Sequence, residues 1–208
     1  SLKERAAVEE MFWYVMMQIN RTLKGMKYIP DDFDGLNAAL ADIYYGNFSV
    51  FQSLPDSWAI DQLFPIMPIH RLKETPGRDA VLSDITCDCD GKIDHFIDLK
   101  DVNRTLKLHE LKAEEEYYVG VFLVGAYQET LGDLHNLFGD THVVNIRLGE
   151  DGEVEIQREI EGDSVADVLS YVEYNPKDMV DLFKKKAERA VRKNTITPQE
   201  RRKLVQVF

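Results

Sequence analysis

The densest grouping of potentially reactive side chains is the run Asp84-Ile85-Thr86-Cys87-Asp88-Cys89-Asp90-Gly91-Lys92-Ile93-Asp94. Three chemistries compete for it. A calcium loop would use Asp88 and Asp90 with Gly91 at the sharp turn and Ile93 after it, but Thr86 stands where the first aspartate belongs and Ile97 where a bidentate glutamate belongs. A zinc site would use Cys87 and Cys89 as soft ligands, yet there is no second cysteine pair, so His70 or His95 would have to complete the set without a ligand-like spacing. The third reading is a bend that presents Cys87 and Asp88 to a reaction centre. Its bland counterpart is an acidic turn with one buried thiol, and residue spacing leaves the two open.

Those residues must be placed by the elements around them. Apolar residues at helical spacing (Val8, Met11, Phe12, Val15, Ile19, Leu23) predict a helix over residues 2–24, closed off by Pro30. A second helix is expected from Asp34 to Tyr45, and a short third one after Pro55 and Asp56. From about Phe64 the pattern becomes strand-like: 65–72, 80–86, 92–99, 117–126, 142–148 and 154–158. Gly149 to Gly152 reads as the hairpin turn between the last two, because Asp-Gly tolerates positive φ. Helical periodicity returns at Ser164, resumes after Asn175-Pro176 and again after Thr197-Pro198. The expected class is α+β: an antiparallel β-domain, sandwich or barrel, flanked by helical segments at both ends, with boundaries at 1–63, 64–163 and 164–208. Helices, then strands, then helices suggest a segment of something larger.

Of the 208 residues, 44% are hydrophobic and 30% charged, enough for one sizeable core or two small ones. No apolar run approaches the roughly 20 residues of a membrane span, and the charged opening is unlike a secretory signal, so the expected compartment is the cytoplasm. A net charge of -12 argues against nucleic-acid binding. The basic cluster from Lys184 to Lys193, with Arg201, Arg202 and Lys203, is interrupted by acids and reads as a solvated helix face. Cys87 and Cys89, two apart, would strain a disulfide and are expected to be reduced.

The stretch from Leu82 to Ile93, with Val119-Gly120-Val121-Phe122-Leu123-Val124-Gly125-Ala126-Tyr127-Gln128 and Leu134-His135-Asn136-Leu137-Phe138-Gly139-Asp140, resembles the large biosynthetic arginine decarboxylases. The Cys-Asp and Gly-Ala-Tyr elements also look like those of ornithine and diaminopimelate decarboxylases, of alanine-racemase-like fold. Pro55-Asp56-Ser57-Trp58-Ala59-Ile60-Asp61-Gln62-Leu63-Phe64-Pro65-Ile66 and Pro68-Ile69-His70-Arg71-Leu72 extend the likeness along the chain. This chain has Cys89 where such enzymes commonly carry serine.

The resemblance implies conversion of L-arginine to agmatine and carbon dioxide, feeding polyamine synthesis, with pyridoxal 5'-phosphate and Mg2+ as cofactors. It also implies a homo-oligomer in which the β-domain completes the site of a neighbouring subunit. Asp88 would then take the substrate guanidinium, with Asp90 as the alternative carboxylate, since both lie within one turn. Cys87 would act as general acid near the α-carbon. Tyr127, expected at the end of a buried strand, would contact the cofactor phosphate, while Gly125 and Ala126 let a backbone or the cofactor approach closely. His135 and Asn136 would lie in a loop near the substrate entrance. A barrel lysine for the cofactor and a glycine-rich phosphate loop are expected outside this chain, making the chain inactive alone. The first segment would be part of an inserted helical bundle leading back to the barrel, and the last helices an extra carboxy-terminal domain, both with exposed apolar contact surfaces. Other readings are a decarboxylase of another basic amino acid and a catalytically dead interaction module. The Mg2+ has no evident ligand set.

Overall fold

The computed structural model describes residues 1–208 apart from Asp34, Lys100, Ala126, Asp133, His135 and Phe208, and apart from the side chains of Asp31 and Glu129. It consists of two compact units, Ser1–Asp133 and Leu134–Phe208. The last pair of strands lies in the second unit with the terminal helices.

The first unit opens with α1 (Leu2–Leu23), on which Met11, Phe12, Trp13 and Val15 are exposed and Leu23 is buried. The short helix α2 (Leu36–Ala39) follows. The helix expected up to Tyr45 ends there, because Asp42–Tyr45 is a strand, β1. Its Ile43, Tyr44 and Tyr45 are β-branched or aromatic and suit a pleated surface, although Ile43 also continues the helical spacing of Leu36, Ala39 and Leu40. Two short helices come next, α3 (Val50–Ser53) and α4 (Pro55–Ala59), the latter with proline at its first position.

The strands of this unit are short: β2 (Ile66–Pro68), β3 (Arg78–Ser83), β4 (Lys92–Ile93), β5 (Phe96–Ile97), β6 (Val102–Asn103), β7 (Leu106–Leu108) and β8 (Val119–Val121). Central to them is β3. On one edge it pairs in parallel with β1, from Asp42 opposite Ala80 to Tyr45 opposite Ser83. Its other edge is shared by two antiparallel partners, β7 at the Arg78 end and β4 at the Ser83 end. The sheet is therefore mixed, and its parallel pair departs from the all-antiparallel expectation. β2 with β8 and β5 with β6 form separate antiparallel pairs.

Alternation along β3 turns Ala80 and Leu82 into a core with Val50, Leu54, Phe64, Ile93, Phe96 and Leu108. At roughly 25 cal/mol per Å² of apolar surface, such burial is the main stabilising term of the unit. A second tie crosses it: Tyr44 donates to the carbonyl of His109 at 2.9 Å, and the buried His109 ring lies 2.8 Å from the Tyr117 hydroxyl and 3.0 Å from the Glu74 carbonyl.

The strand expected over 117–126 contracts to β8, and Tyr127 begins a helix, α5 (Tyr127–Leu131). Leu123, at φ 59°, lies in the left-handed region and breaks the extended run. The run expected over 92–99 likewise splits into β4 and β5, which belong to different sheets.

The second unit contains the hairpin β9 (Val143–Leu148) and β10 (Val154–Ile160), in register from Val143 opposite Ile160 to Leu148 opposite Val154, with an irregularity between Ile156 and Arg158. Gly152, at φ 83°, supplies the positive φ its turn needs. Three helices follow: α6 (Val165–Tyr171), α7 (Pro176–Arg192) and α8 (Pro198–Val207). Each starts at a local cap. Ser164 and Asp167 form a capping box, Asn175 accepts from Lys177 N–H, and the Thr197 hydroxyl accepts from Glu200 N–H. An Arg201–Glu188 pair at 2.9 Å joins α8 to α7. No helix among the described residues is long and apolar enough to cross a membrane.

Candidate active-site loop and its supports

The loop that carries Cys87 and Asp88 leaves the end of β3 and returns on β4. Strands flank it, not helices, which removes the calcium-loop reading together with the mismatches at Thr86 and Ile97. Its base is closed by Asp84 N–H donating to the Gly91 carbonyl at 2.8 Å. Its interior is filled by the Asp84 side chain, which is 2% exposed.

One oxygen of that carboxylate accepts from Thr86 N–H at 2.9 Å and from the Thr86 hydroxyl at 2.7 Å. The other accepts from Val50 N–H at 2.9 Å, at the first turn of α3. The N-cap of α3, Ser49, makes no side-chain capping bond, so the distant aspartate serves the helix end instead. Gly91 closes over this carboxylate: a Cβ there would lie 2.2 Å from Asp84 Oδ1 and 2.6 Å from Thr86 Oγ1. Its need is for space, since its φ is not in the left-handed range.

From Thr86 the bonding runs on to the tip. The Thr86 hydroxyl accepts from Asp88 N–H at 3.4 Å, Asp88 Oδ1 accepts from Asp90 N–H at 3.0 Å, and the Asp88 carbonyl accepts from Gly91 N–H at 3.1 Å. Asp88 and Asp90 thus sit in a tight turn stabilised by an aspartate side chain. Cys87, Asp88, Cys89 and Asp90 are all exposed, and both cysteines are free thiols. The alternative of a buried thiol at Cys87 is thereby excluded.

Lys92 and Asp94 pair at 2.8 Å at the foot of the loop, and His95 Nδ1 lies 2.8 Å from Asp94. Burial pushes the Asp94 carboxyl up, but Lys92 and His95 outweigh it and hold its pKa below the ordinary value. The hydrogen bond and charge of Asp94 in turn raise that of Lys92. Asp88 and Asp90 place two exposed carboxylates at the tip, a chemistry suited to a cation.

Among the described residues, the His, Cys and carboxylate groups close enough to share an ion are Asp88, Cys89 and Asp90, with ligand atoms within 4.8 Å of one another. Neither Cys87 nor a histidine joins them, so the zinc reading finds no four-ligand set. Two carboxylates and a thiol also fit Mg2+ poorly, since that ion takes oxygen ligands in an octahedron.

Tyr127 is 72% exposed at the start of α5, which excludes a core tyrosine and corrects the buried strand end. Its neighbour Gln128 points the other way and is buried. Gln128 accepts from Asp56 N–H at 3.2 Å and donates to the Asp56 carboxylate, tying α5 to α4. At the far end of α5, a Cβ on Gly132 would lie 2.2 Å from the Gln52 carbonyl, so the backbones of α5 and α3 are in close approach. A Cβ on Gly125 would meet nothing within 4 Å, leaving open space beside the Tyr127 helix. Ala126 and His135 lie outside the described residues. Asn136 accepts from Phe138 N–H at 3.0 Å in a local turn.

Residue type and spacing do not mark Asp84, Gly91, Gln128 and Gly132 as positioning groups. Asp84 and Gly91 stand inside the reactive run, but the contact of Asp84 with Val50, 34 residues away, exists only in the folded chain.

Residues 165–208 match the family model described as the arginine decarboxylase C-terminal helical extension. The chain is similar to the biosynthetic arginine decarboxylase of Phocaeicola vulgatus, at 52% identity over 96% of this chain and 31% of that protein. It is also similar to that of Nostoc sp., at 49% identity over 100% of this chain and 30% of that protein. The crystal structure of the biosynthetic arginine decarboxylase SpeA from Campylobacter jejuni is similar in fold, with a TM-score of 0.61 and 38% identity over 79% of this chain and 27% of that one. The chain therefore spans about a third of the length of the curated relatives it matches.

Proposed function

We propose that this chain, which belongs to the biosynthetic arginine decarboxylase family, is the C-terminal part of an enzyme that converts L-arginine to agmatine and carbon dioxide for polyamine synthesis in the cytoplasm. The observation that carries the reading is the loop tip. Cys87 and Asp88 are held toward solvent by a buried, fully engaged Asp84, on a chain similar to arginine decarboxylases over nearly its whole length.

Asp88 takes the substrate guanidinium through two charge-assisted hydrogen bonds, because a planar fork of donors matches a carboxylate. Asp90 adds negative charge one step along the turn. Pyridoxal phosphate, when bound, supplies a sink for the electron pair left at the α-carbon as carbon dioxide departs. Cys87 then gives its thiol proton to the α-carbon, completing the amine and balancing the lost carboxyl group. The exposed Tyr127 hydroxyl, with the open space at Gly125, fits contact with the cofactor phosphate. His135 is proposed near the substrate entrance. The whole site is proposed to form between subunits of a homo-oligomer, since a tip exposed in one chain needs a facing surface to exclude water. The residues here do not fit Mg2+, and no step is drawn through it.

Agmatine release from L-arginine by the full-length enzyme with pyridoxal phosphate tests this, native against Asp88→Asn. The expected result is a fall in kcat/KM of about a hundredfold, dominated by KM. Equal activity of the two proteins would remove Asp88 from substrate recognition, and absence of arginine decarboxylation by the native enzyme would overturn the function.

A further inference from the structure

We propose that Asp84 is a positioning residue for this decarboxylation, fixing the Cys87–Asp88 turn to α3 and, through α3, to the helix that carries Tyr127. The inference rests on the function proposed above and concerns a residue that touches neither substrate nor cofactor in that reading.

A carboxylate that is 2% exposed loses its hydration, and burying it is favourable only if donors replace the water. Three donors do so, from two places: Val50 N–H on α3, and the amide and hydroxyl of Thr86 in the loop. An apolar residue would fill the space at lower desolvation cost. What it would not do is hold two backbone segments 34 residues apart in one geometry.

That geometry reaches the chemistry at both ends. On one side the Thr86 hydroxyl donates to Asp84 and accepts from Asp88 N–H, so the amide of the guanidinium-binding residue is two hydrogen bonds from the buried carboxylate. On the other side α3 lies backbone to backbone against the end of α5 at Gly132, and α5 begins at Tyr127. Gly91 packs directly against the carboxylate on one side, since even a methyl group there would overlap it. The turn that carries Cys87 and Asp88 and the helix that begins at Tyr127 are therefore both referred to one buried anchor. Misplacement of a reacting group by about 1 Å can cost on the order of a hundredfold in rate.

The test uses the full-length enzyme with its cofactor and compares Asp84→Asn, Thr86→Val and Thr86→Ser with native protein in arginine decarboxylation. Asp84→Asn turns one acceptor into a donor facing N–H groups. Thr86→Val keeps shape but removes the hydroxyl link, and Thr86→Ser restores it. The expected result is a loss of about tenfold or more in kcat/KM for Asp84→Asn and Thr86→Val, with KM for arginine raised and a larger fraction of turnovers ending in transamination. Thr86→Ser should stay within about threefold of native.

Since Asp84→Asn can fail to fold, Thr86→Val, checked for a native-like melting temperature, decides the matter. Native kcat/KM and product ratio in Thr86→Val, or equal impairment in Thr86→Ser, would overturn the positioning role. An Asp88→Asn variant run alongside separates the two claims. If it is impaired while Thr86→Val is not, the function stands and the anchor fails. If the native enzyme does not decarboxylate arginine, both fall.

Discussion

The carboxylate of Asp84 accepts a hydrogen bond of 2.9 Å from the backbone N–H of Val50, a residue that is itself fully buried. One side chain thus ends a strand, starts a helix and shapes the loop between β3 and β4. Asp84→Ala would leave the amides of Val50 and Thr86 without this acceptor, at about 1–3 kcal/mol for each unsatisfied group. A fall in unfolding free energy of several kcal/mol in denaturant titration is expected. A loss below about 1 kcal/mol would mean that water replaces the carboxylate.

Gly91→Ala tests the same pocket from the opposite wall. The added methyl must displace Asp84 or Thr86, and overpacking of this kind costs about 1–3 kcal/mol. Melting temperature should fall, and the two bonds to Thr86 should be lost together. An unchanged melting curve would show that β4 can move away at no cost.

Gln128→Glu places a carboxylate against that of Asp56 in a buried site. Two carboxylates in contact resist ionising together, so one of them must take up a proton. The variant should be destabilised at neutral pH and recover toward native stability as pH falls to about 5. Parallel melting temperatures of variant and native protein from pH 8 to 5 would contradict the contact.

The Lys92–Asp94 pair gives a pH dependence of definite sign. Asp94 has its pKa lowered in the folded protein, so its contribution is present above the unfolded carboxylate value and is lost as pH falls through the lower folded value. Lys92 has its pKa raised, so its contribution is present below the unfolded lysine value and is lost as pH rises through the higher folded value. Lys92 is exposed and Asp94 half-buried at the surface, and the pair should contribute under about 1 kcal/mol after screening. Asp94→Asn should flatten the acid limb of the stability curve, and added salt should do the same to native protein. An acid limb unaltered by both would assign it to other carboxylates.

The family likeness and the terminal helices were legible for different reasons. Residues around Cys87, Tyr127 and Asn136 carried the family likeness directly, whatever fold held them. Ser164, Asn175-Pro176 and Thr197-Pro198 announced three helix starts because a cap acts on amides two or three residues away. Gly152 marked its hairpin for an equally local reason, a backbone dihedral that other residues resist.

The strand at Ile43–Tyr45 and the helix at Tyr127 were different. Ile43 fits a helical stripe with Leu36, Ala39 and Leu40 as well as a strand, and only the pairing of Ile43 and Tyr44 with Val81 and Leu82 of β3 selects the strand. Tyr127 followed an apolar run that reads as a strand throughout, and only Leu123's left-handed backbone and Gln128's contact with Asp56 turn it into a helix. By itself the sequence determined which residues could do chemistry, the charge they bring and the locally capped elements, because those depend on residue type and on neighbours a few positions away. Tertiary structure alone decided that Cys87 and Asp88 face solvent and that a buried Asp84 holds them there, because that hydrogen bond spans 34 residues and exists only after the strands have paired.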